Sequence, residues 1–362
     1  MSRSARDYDE SDVRVRPNRR GSRPRTKERP AHKDAVPGMV IGVDRGRYRV
    51  ILGGGIAGSD PPRRSVTAMK ARELGRGGIV VGDRVDLVGD VSGGPDALAR
   101  IVRVHERETV LRRTADDADP VERVLVANAD QLVIVSAVAN PAPSPRLIDR
   151  CLVAAYDAGM ECALVLTKAD LGSAEPLIEV YAPLGVTCLV TSRDGSHIVG
   201  LAQVEHHLEG RISVLVGPSG VGKSTLVNAL VPDADRATGS VNDVTGRGRH
   251  TSTSAVALEL PGGMGWVVDT PGVRSFGLAH VDPETIVDHF PDLASGTGQC
   301  PRGCGHDEPE CGLDAWVESG AAGPAGAARL DSLRRLLRSA EATRTTNSPT
   351  PDARRPTPEN AS

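Results

Sequence analysis

Aromatic side chains make up only 2% of this 362-residue chain: two Trp, two Phe and four Tyr. A chain this poor in aromatics has little with which to stack bases, so contact with nucleic acid is expected to run through phosphates. No apolar run approaches the roughly 20 residues that a membrane-spanning helix needs. The N-terminus also lacks the apolar core of a signal peptide. Both absences predict a cytoplasmic protein. Cysteine is sparse as well. Cys151, Cys162 and Cys188 stand singly among apolar neighbours and read as buried filler in a reducing compartment, whereas Cys300, Cys304 and Cys311 gather near a histidine.

The formal net charge is only -3, but it is unevenly spread. Between Val13 and Lys33 lie nine Lys or Arg against one Glu, with too little apolar surface to offset ordering entropy. Residues 1–36 are therefore expected to form a disordered basic tail, either solubilising or, the better reading, RNA-seeking. Residues 342–362, rich in Thr, Pro and Asn, read as a second disordered tail.

Three units lie between the tails. Residues 37–113 carry short alternating runs such as RYRVIL and ALARIVRV between Gly-rich turns, the pattern of half-buried strands in a small barrel. About five strands fit, which predicts an OB-fold. Tyr48 is its one aromatic residue, so any RNA contact is assigned to Arg45, Arg47, Arg49, Arg63 and Arg64. Residues 121–290 alternate apolar runs (QLVIVSAV, CALVLTK, RISVLVG) with helical segments, predicting an α/β core with a parallel sheet covered on both faces. Residues 291–341 hold the Cys/His cluster and then GAARLDSLRRLLRSAE, a short amphipathic helix with a basic face.

The run Gly217-Pro218-Ser219-Gly220-Val221-Gly222-Lys223-Ser224 fits GxxxxGK[ST], and it stands between a strand-like run and a helix-like run beginning Ser224-Thr225. In that context the loop amides converge on a β-phosphate. Lys223 neutralises the β- and γ-phosphates, and the Ser224 hydroxyl holds Mg²⁺. Asp269-Thr270-Pro271-Gly272 follows as a DxxG motif at a strand end. Asp269 is placed for the Mg²⁺ shell, and the amide of Gly272 for the γ-phosphate.

Two features are missing where such a protein usually has them. No guanine-reading NKxD tetrad follows DxxG; the best match, Thr167-Lys168-Ala169-Asp170, precedes the phosphate loop. This order predicts a circularly permuted GTPase. Asp170 would accept from N1–H and the 2-amino group of guanine, Lys168 would lay its stem over the base, and Ser192 would offer an amide to O6. Thr167 stands where Asn is usual, and offers one hydroxyl in place of the amide fork. The second absence is the water-orienting Gln after DxxG, whose place is taken by Val273. The segment Gly246-Arg247-Gly248-Arg249-His250-Thr251-Ser252-Thr253 falls where switch I belongs. It supplies His250 as a catalytic candidate beside Lys223, and Ser252, Thr251 or Thr253 as a Mg²⁺ ligand.

Cys300-x₃-Cys304-x-His306-x₄-Cys311 gives three thiolates and an imidazole, the donor set of a closed structural zinc site holding one ion. A unit of this size has little core of its own, and a metal would supply what burial does not.

The succession barrel, TKAD, GPSGVGKS, GRGRHTST, DTPG and Cys/Cys/His/Cys resembles the ribosome small subunit-dependent GTPase A family (RsgA, or YjeQ) from about Pro37 to Glu341. The resemblance implies a monomeric bacterial factor that binds the 30S subunit and its 16S rRNA late in assembly. It would hydrolyse GTP to GDP and phosphate under stimulation by the subunit and then dissociate. It also implies that His250 assists hydrolysis in place of the missing Gln. Two alternatives remain open from sequence: a non-catalytic, nucleotide-stabilised RNA-binding protein, which Val273 favours, and a permuted GTPase of the large subunit, which the barrel and zinc knot disfavour.

Overall fold

The computed structural model describes residues 32–53, 63–75, 78–114, 122–232, 255–270 and 283–347. Five strands come first: β1 (Val36–Asp44), β2 (Arg47–Leu52), β3 (Arg64–Lys70), β4 (Arg84–Gly89) and β5 (Ala99–Val104). They pair in the order β1-β2-β3-β5-β4, and β4 returns to β1 and closes the barrel. Only β3 and β5 run parallel. This is the expected OB-type barrel. Alternation builds it: Tyr48, Val50 and Leu52 point inward from β2, while Arg47 is exposed and Arg49 half-buried. β1 slips register against β2 between Val40 and Gly42, a bulge that bends the strand.

The expected barrel limit at residue 113 falls inside β6 (Val110–Thr114). That strand pairs with β7 (Glu122–Ala127) as a separate two-stranded ribbon. Its junction with the barrel is polar and fully satisfied. Arg107 grips the buried carboxylate of Asp83 at 2.7 and 2.8 Å, and Asn128 donates to the carbonyl of Gly82 at 2.9 Å.

The α/β core comprises β8 (Gln131–Ala137), α1 (Pro145–Asp157), β9 (Glu161–Thr167), α2 (Glu175–Tyr181), β10 (Thr187–Val190), β11 (Ser192–Asp194), β12 (His197–Val199), α3 (Leu201–Leu208), β13 (Ile212–Val216), α4 (Lys223–Leu230), β14 (Val256–Glu259) and β15 (Trp266–Asp269). Its sheet order is β10-β9-β8-β13-β15-β14, parallel except for β14. Every residue of β8 is buried. Leu132 and Ile134 pack with α1 on one face; Val133, Val135 and Ala137 pack with α3 and α4 on the other. The helices that follow neighbouring strands β8 and β13 therefore lie on opposite faces, which opens a crevice at their carboxyl ends. β14 also pairs with β1 of the barrel at Val256 and Gly42, so barrel and core share one continuous sheet.

Four helices end the described chain: α5 (Pro283–Asp288), α6 (Pro291–Ala294), α7 (Gly312–Glu318) and α8 (Gly326–Asn347). Their apolar residues, including Ile286, Phe290, Leu313, Leu333 and Leu336, join the cluster around α1. α8 runs on to Asn347, so residues 342–347 of the expected tail are helical. Its basic face is turned to acidic partners. Arg329 bonds Asp292 at 2.7 Å, Arg334 bonds Asp314 at 2.6 and 2.9 Å, and Arg338 bonds Asp307 at 2.9 Å. Arg335 reaches back to Asp149 of α1 at 3.1 and 3.2 Å. Burial raises the Asp149 carboxyl above its ordinary range, and the Arg335 charge opposes that shift.

Candidate nucleotide site and metal centre

The phosphate loop leaves β13, whose five residues are all buried, and enters α4 through Gly222. At φ 94°, Gly222 holds a left-handed conformation that a side chain would resist, and it caps α4 without a side-chain bond. The first amides of a helix have no partner within it, so those of Lys223, Ser224 and Thr225 are placed where they could meet an anion. At Gly217 a Cβ would run into the carbonyl oxygen of Val135 on β8, so glycine there permits the loop to lie close to its neighbour. Ser219, Gly220, Ser224 and Thr225 are exposed along the loop mouth, whereas Val221 is buried and anchors it.

The Lys223 ammonium forms an ion pair with the Asp269 carboxylate at the end of β15 and reaches the carbonyl of Thr270 at 3.4 Å. Thr270 is buried and fixed by its hydroxyl, which donates to Leu215 O at 2.8 Å. The lysine assigned to phosphate and the carboxylate assigned to Mg²⁺ therefore adjoin, across two parallel neighbouring strands.

The second half of the site comes from β9, separated from β13 only by β8. Thr167 ends β9 in the core, and its hydroxyl donates to Val221 O of the phosphate loop at 2.5 Å. Thus the Thr that replaces Asn still supports the loop. Lys168 follows at φ 60°, turning the chain out of the strand. Its ammonium bonds Gly220 O at 2.7 Å and also the carbonyl of Asn140. Ala169 N donates to Thr191 O at 3.1 Å, and Asp170 Oδ1 accepts from the Arg193 amide at 3.0 Å. Asp170 is exposed with one oxygen anchored, and Ser192 adjoins that anchor at the start of β11.

The structure therefore gathers Thr167, Lys168, Ala169, Asp170 and Ser192 with the loop residues Gly217 to Thr225 and Asp269 at the carboxyl edge of one sheet. His250, Thr251, Ser252, Thr253 and Gly272 lie outside the described residues. Sequence reasoning missed two backbone partners, Asn140 O and Arg193 N. Backbone atoms carry no residue-type signal, although Ser192, singled out from the sequence, immediately precedes Arg193.

Cys300, Cys304, His306 and Cys311 bring their ligand atoms within 4.8 Å of one another. Cys300 Sγ lies 3.9 Å from Cys311 Sγ and 3.5 Å from His306 Nδ1, and Cys311 Sγ is 3.8 Å from that nitrogen. Zinc–sulfur bonds of about 2.3 Å in a tetrahedron give ligand edges of about 3.8 Å, so these residues fit the ion, with Nδ1 as the histidine donor. The turn is held from outside the donor set. Glu308 accepts from Gly305 N at 2.8 Å, and Arg334 donates to His306 O at 3.0 Å. The scattered thiols are different: burial pushes the Cys151 thiol up to about 12, and it raises Cys162 and Cys188 too, which disfavours the thiolate at all three.

A family model described as RsgA GTPase matches residues 104–279. The small ribosomal subunit biogenesis GTPase RsgA of Chlorobaculum tepidum is 36% identical over 299 residues, spanning 80% of this chain and 94% of that relative. The chain belongs to the RsgA family. A Pseudomonas putida member of the same name is 40% identical over 269 residues, spanning 72% of this chain and 75% of its own. Among solved structures, YjeQ from Thermotoga maritima superposes with a TM-score of 0.59 and 27% identity, covering 84% of this chain and 98% of that one. YloQ, described as a circularly permuted GTPase, shares the fold with a TM-score of 0.59 at 23% identity, covering 86% and 97%. The permuted order read from TKAD and GPSGVGKS is thus that of a known fold. As an RsgA-family GTPase the chain is a GTP hydrolase, which takes its nucleotide with Mg²⁺. Among the described residues no helix is long and apolar enough to cross a membrane.

Proposed function

We propose that this GTPase acts as a monomer in the cytoplasm, binds the 30S subunit late in its assembly, hydrolyses GTP under stimulation by the subunit, and then dissociates. The observation that carries the nucleotide part is the bond from Thr167 to Val221 O. It joins the base tetrad to the phosphate loop although 54 residues separate them, in the reverse of the usual order. The subunit is proposed from the names of the relatives.

Asp170 reads guanine through N1–H and the 2-amino group, with Lys168 along the base and the Ser192 amide at O6. The amides of Gly217 to Thr225 cradle the phosphates. Lys223 neutralises charge that builds on the β–γ bridging oxygen, so it stabilises the leaving GDP. Ser224 and Asp269 hold Mg²⁺, completed by Ser252 or a neighbouring Thr of the 246–253 segment. In the reaction a water oxygen bonds the γ-phosphorus as the bridging P–O bond breaks, yielding GDP and phosphate. His250 orients that water, since Val273 offers no polar group. Gly272 donates its amide to the γ-phosphate. One zinc ion, held by Cys300, Cys304, His306 and Cys311, would fix the turn that α7 and α8 brace. The barrel (β1 to β5), the GTPase core (121–290) and the zinc unit, with α8 running on to Asn347, act as three functional parts.

Multiple-turnover GTP hydrolysis with and without purified 30S and 50S subunits tests this. Stimulation by 30S alone is the expected outcome. Stimulation by 50S alone, or none by either particle, refutes it.

A further inference from the structure

The barrel is fastened to the nucleotide core at two points on a single strand. At one end of β14, Val256 pairs with Gly42 of β1. At the other end, the Glu259 carboxylate forms an ion pair with Arg63, which immediately precedes β3 of the barrel. The pair is mostly shielded from solvent, with side-chain exposures of 19% for Arg63 and 33% for Glu259. Shielding weakens screening, so this contact holds where a surface pair would not.

The far side of β14 meets the site. Val256 faces Asp269 across β15, and Asp269 in turn faces Leu215 of β13. One row of backbone pairs therefore runs Gly42, Val256, Asp269, Leu215, from the barrel to the strand that feeds the phosphate loop. The strand's other end is fixed equally well. Glu259 faces Trp266, and a Cβ at Gly263, in the turn joining β14 to β15, would lie 3.0 Å from Arg63 Nη1. A side chain at Gly263 would crowd the guanidinium, and glycine leaves room for it.

We propose that Arg63 and Glu259 are positioning residues: by clamping the barrel to β14, they make the placement of Asp269 answer to what the barrel is bound to. Backbone pairing at Gly42 alone would tie β14 to the barrel at one end only. The ion pair ties the opposite end, so force on the barrel reaches Asp269 as displacement of a rigid strand. This rests on the proposed binding of the 30S subunit for its biological input, but the linkage itself requires only nucleotide.

Glu259→Gln tests it, since that variant lies outside the nucleotide site and leaves every barrel arginine in place while removing the charge that pairs with Arg63. Expected are unchanged GDP affinity, unchanged basal turnover and unchanged co-sedimentation with 30S subunits. Subunit-stimulated kcat should fall by about two- to thirtyfold, the range of mutational effects along coupled elements. Glu259→Arg should fall likewise, and combining it with Arg63→Glu should restore stimulation, which shows that the two charges act on each other. Hydrogen exchange supplies an arm free of the ribosome. GDP with Mg²⁺ should alter protection of the β1 amides in the wild type and do so less in Glu259→Gln. Nucleotide that leaves β1 exchange untouched, or stimulated kcat unchanged in Glu259→Gln, overturns the proposal. If nucleotide does alter β1 exchange while wild-type turnover ignores 30S, the linkage stands and the proposed function fails.

Discussion

Gly42 of the barrel and Asp269 of the nucleotide site flank the same residue, Val256, from opposite sides. Only one strand therefore separates the OB-type barrel from the carboxylate assigned to Mg²⁺. β14 lies at the edge of the core sheet, and that edge is taken up by β1. An edge strand with unpaired backbone groups is thereby covered by the chain's own barrel.

Guanine selectivity should rest on Asp170. Asp170→Asn keeps an oxygen that can accept from the Arg193 amide, so the turn survives. It places an amide donor against the donors of guanine, at a cost of about 1–3 kcal/mol. GDP affinity should fall by about 5- to 150-fold. XDP, with a carbonyl where guanine has its amino group, should gain relative to GDP. Titration of both nucleotides against both proteins decides it, and wild-type GDP affinity in the variant would rule out this assignment.

The Cys/His knot should hold zinc for structure. Cys304→Ser should lose the metal and loosen α7 and α8, while GDP binding at the loop is largely kept. Protein purified without chelator should carry about one equivalent of zinc by elemental analysis. Less than about half an equivalent would contradict a structural site.

Chemistry that resides in side chains at fixed spacing was the legible part of the sequence: the phosphate loop, TKAD and Asp269 lie together at one sheet edge, and the four Cys/His ligand atoms lie within 4.8 Å of one another. The five-strand barrel was legible too, because alternation in runs such as RYRVIL fixes which face is buried. The arginines were the harder part. Arg63 was assigned to RNA, yet it pairs with Glu259. Arg329, Arg334, Arg335 and Arg338 read as a basic face, yet each meets an aspartate. Long-range partners such as Asp149, 186 residues from Arg335, leave no local pattern. A lone arginine looks alike in sequence whether it faces phosphate or carboxylate. Arg45, Arg47 and Arg64 stay exposed on the barrel, and they remain its candidates for phosphate contact.

Hydrolysis, and not binding, should depend on His250. A group that acts only in the transition state lowers kcat and leaves ground-state affinity alone. His250→Ala should therefore keep nucleotide and 30S binding and lose stimulated turnover by about 10²-fold or more, the scale of a positioned proton-transfer or orienting group. The variant should linger on the subunit in its GTP form, as co-sedimentation would reveal. Unchanged stimulated turnover would show that another group places the water.

Thr167 makes the sharpest structural claim, because one hydroxyl proton serves two carbonyls. It lies 2.5 Å from Val221 O and 3.4 Å from Ser136 O, so the bond to the phosphate loop takes the proton. Thr167→Val preserves shape and burial but silences that donor, leaving a loop carbonyl without its partner. A support bond of this kind contributes about 0.5–1.5 kcal/mol, so GDP affinity should fall by about two- to tenfold, with no change in the preference for GDP over XDP. Thr167→Asn supplies an amide N–H in the same place and should bind GDP at least as well as the wild type. Equal GDP affinity in all three proteins would mean that the bond seen here does not hold the phosphate loop in its binding form. Loss in both variants would mean instead that this site tolerates only threonine, and that the hydroxyl's size matters more than its proton.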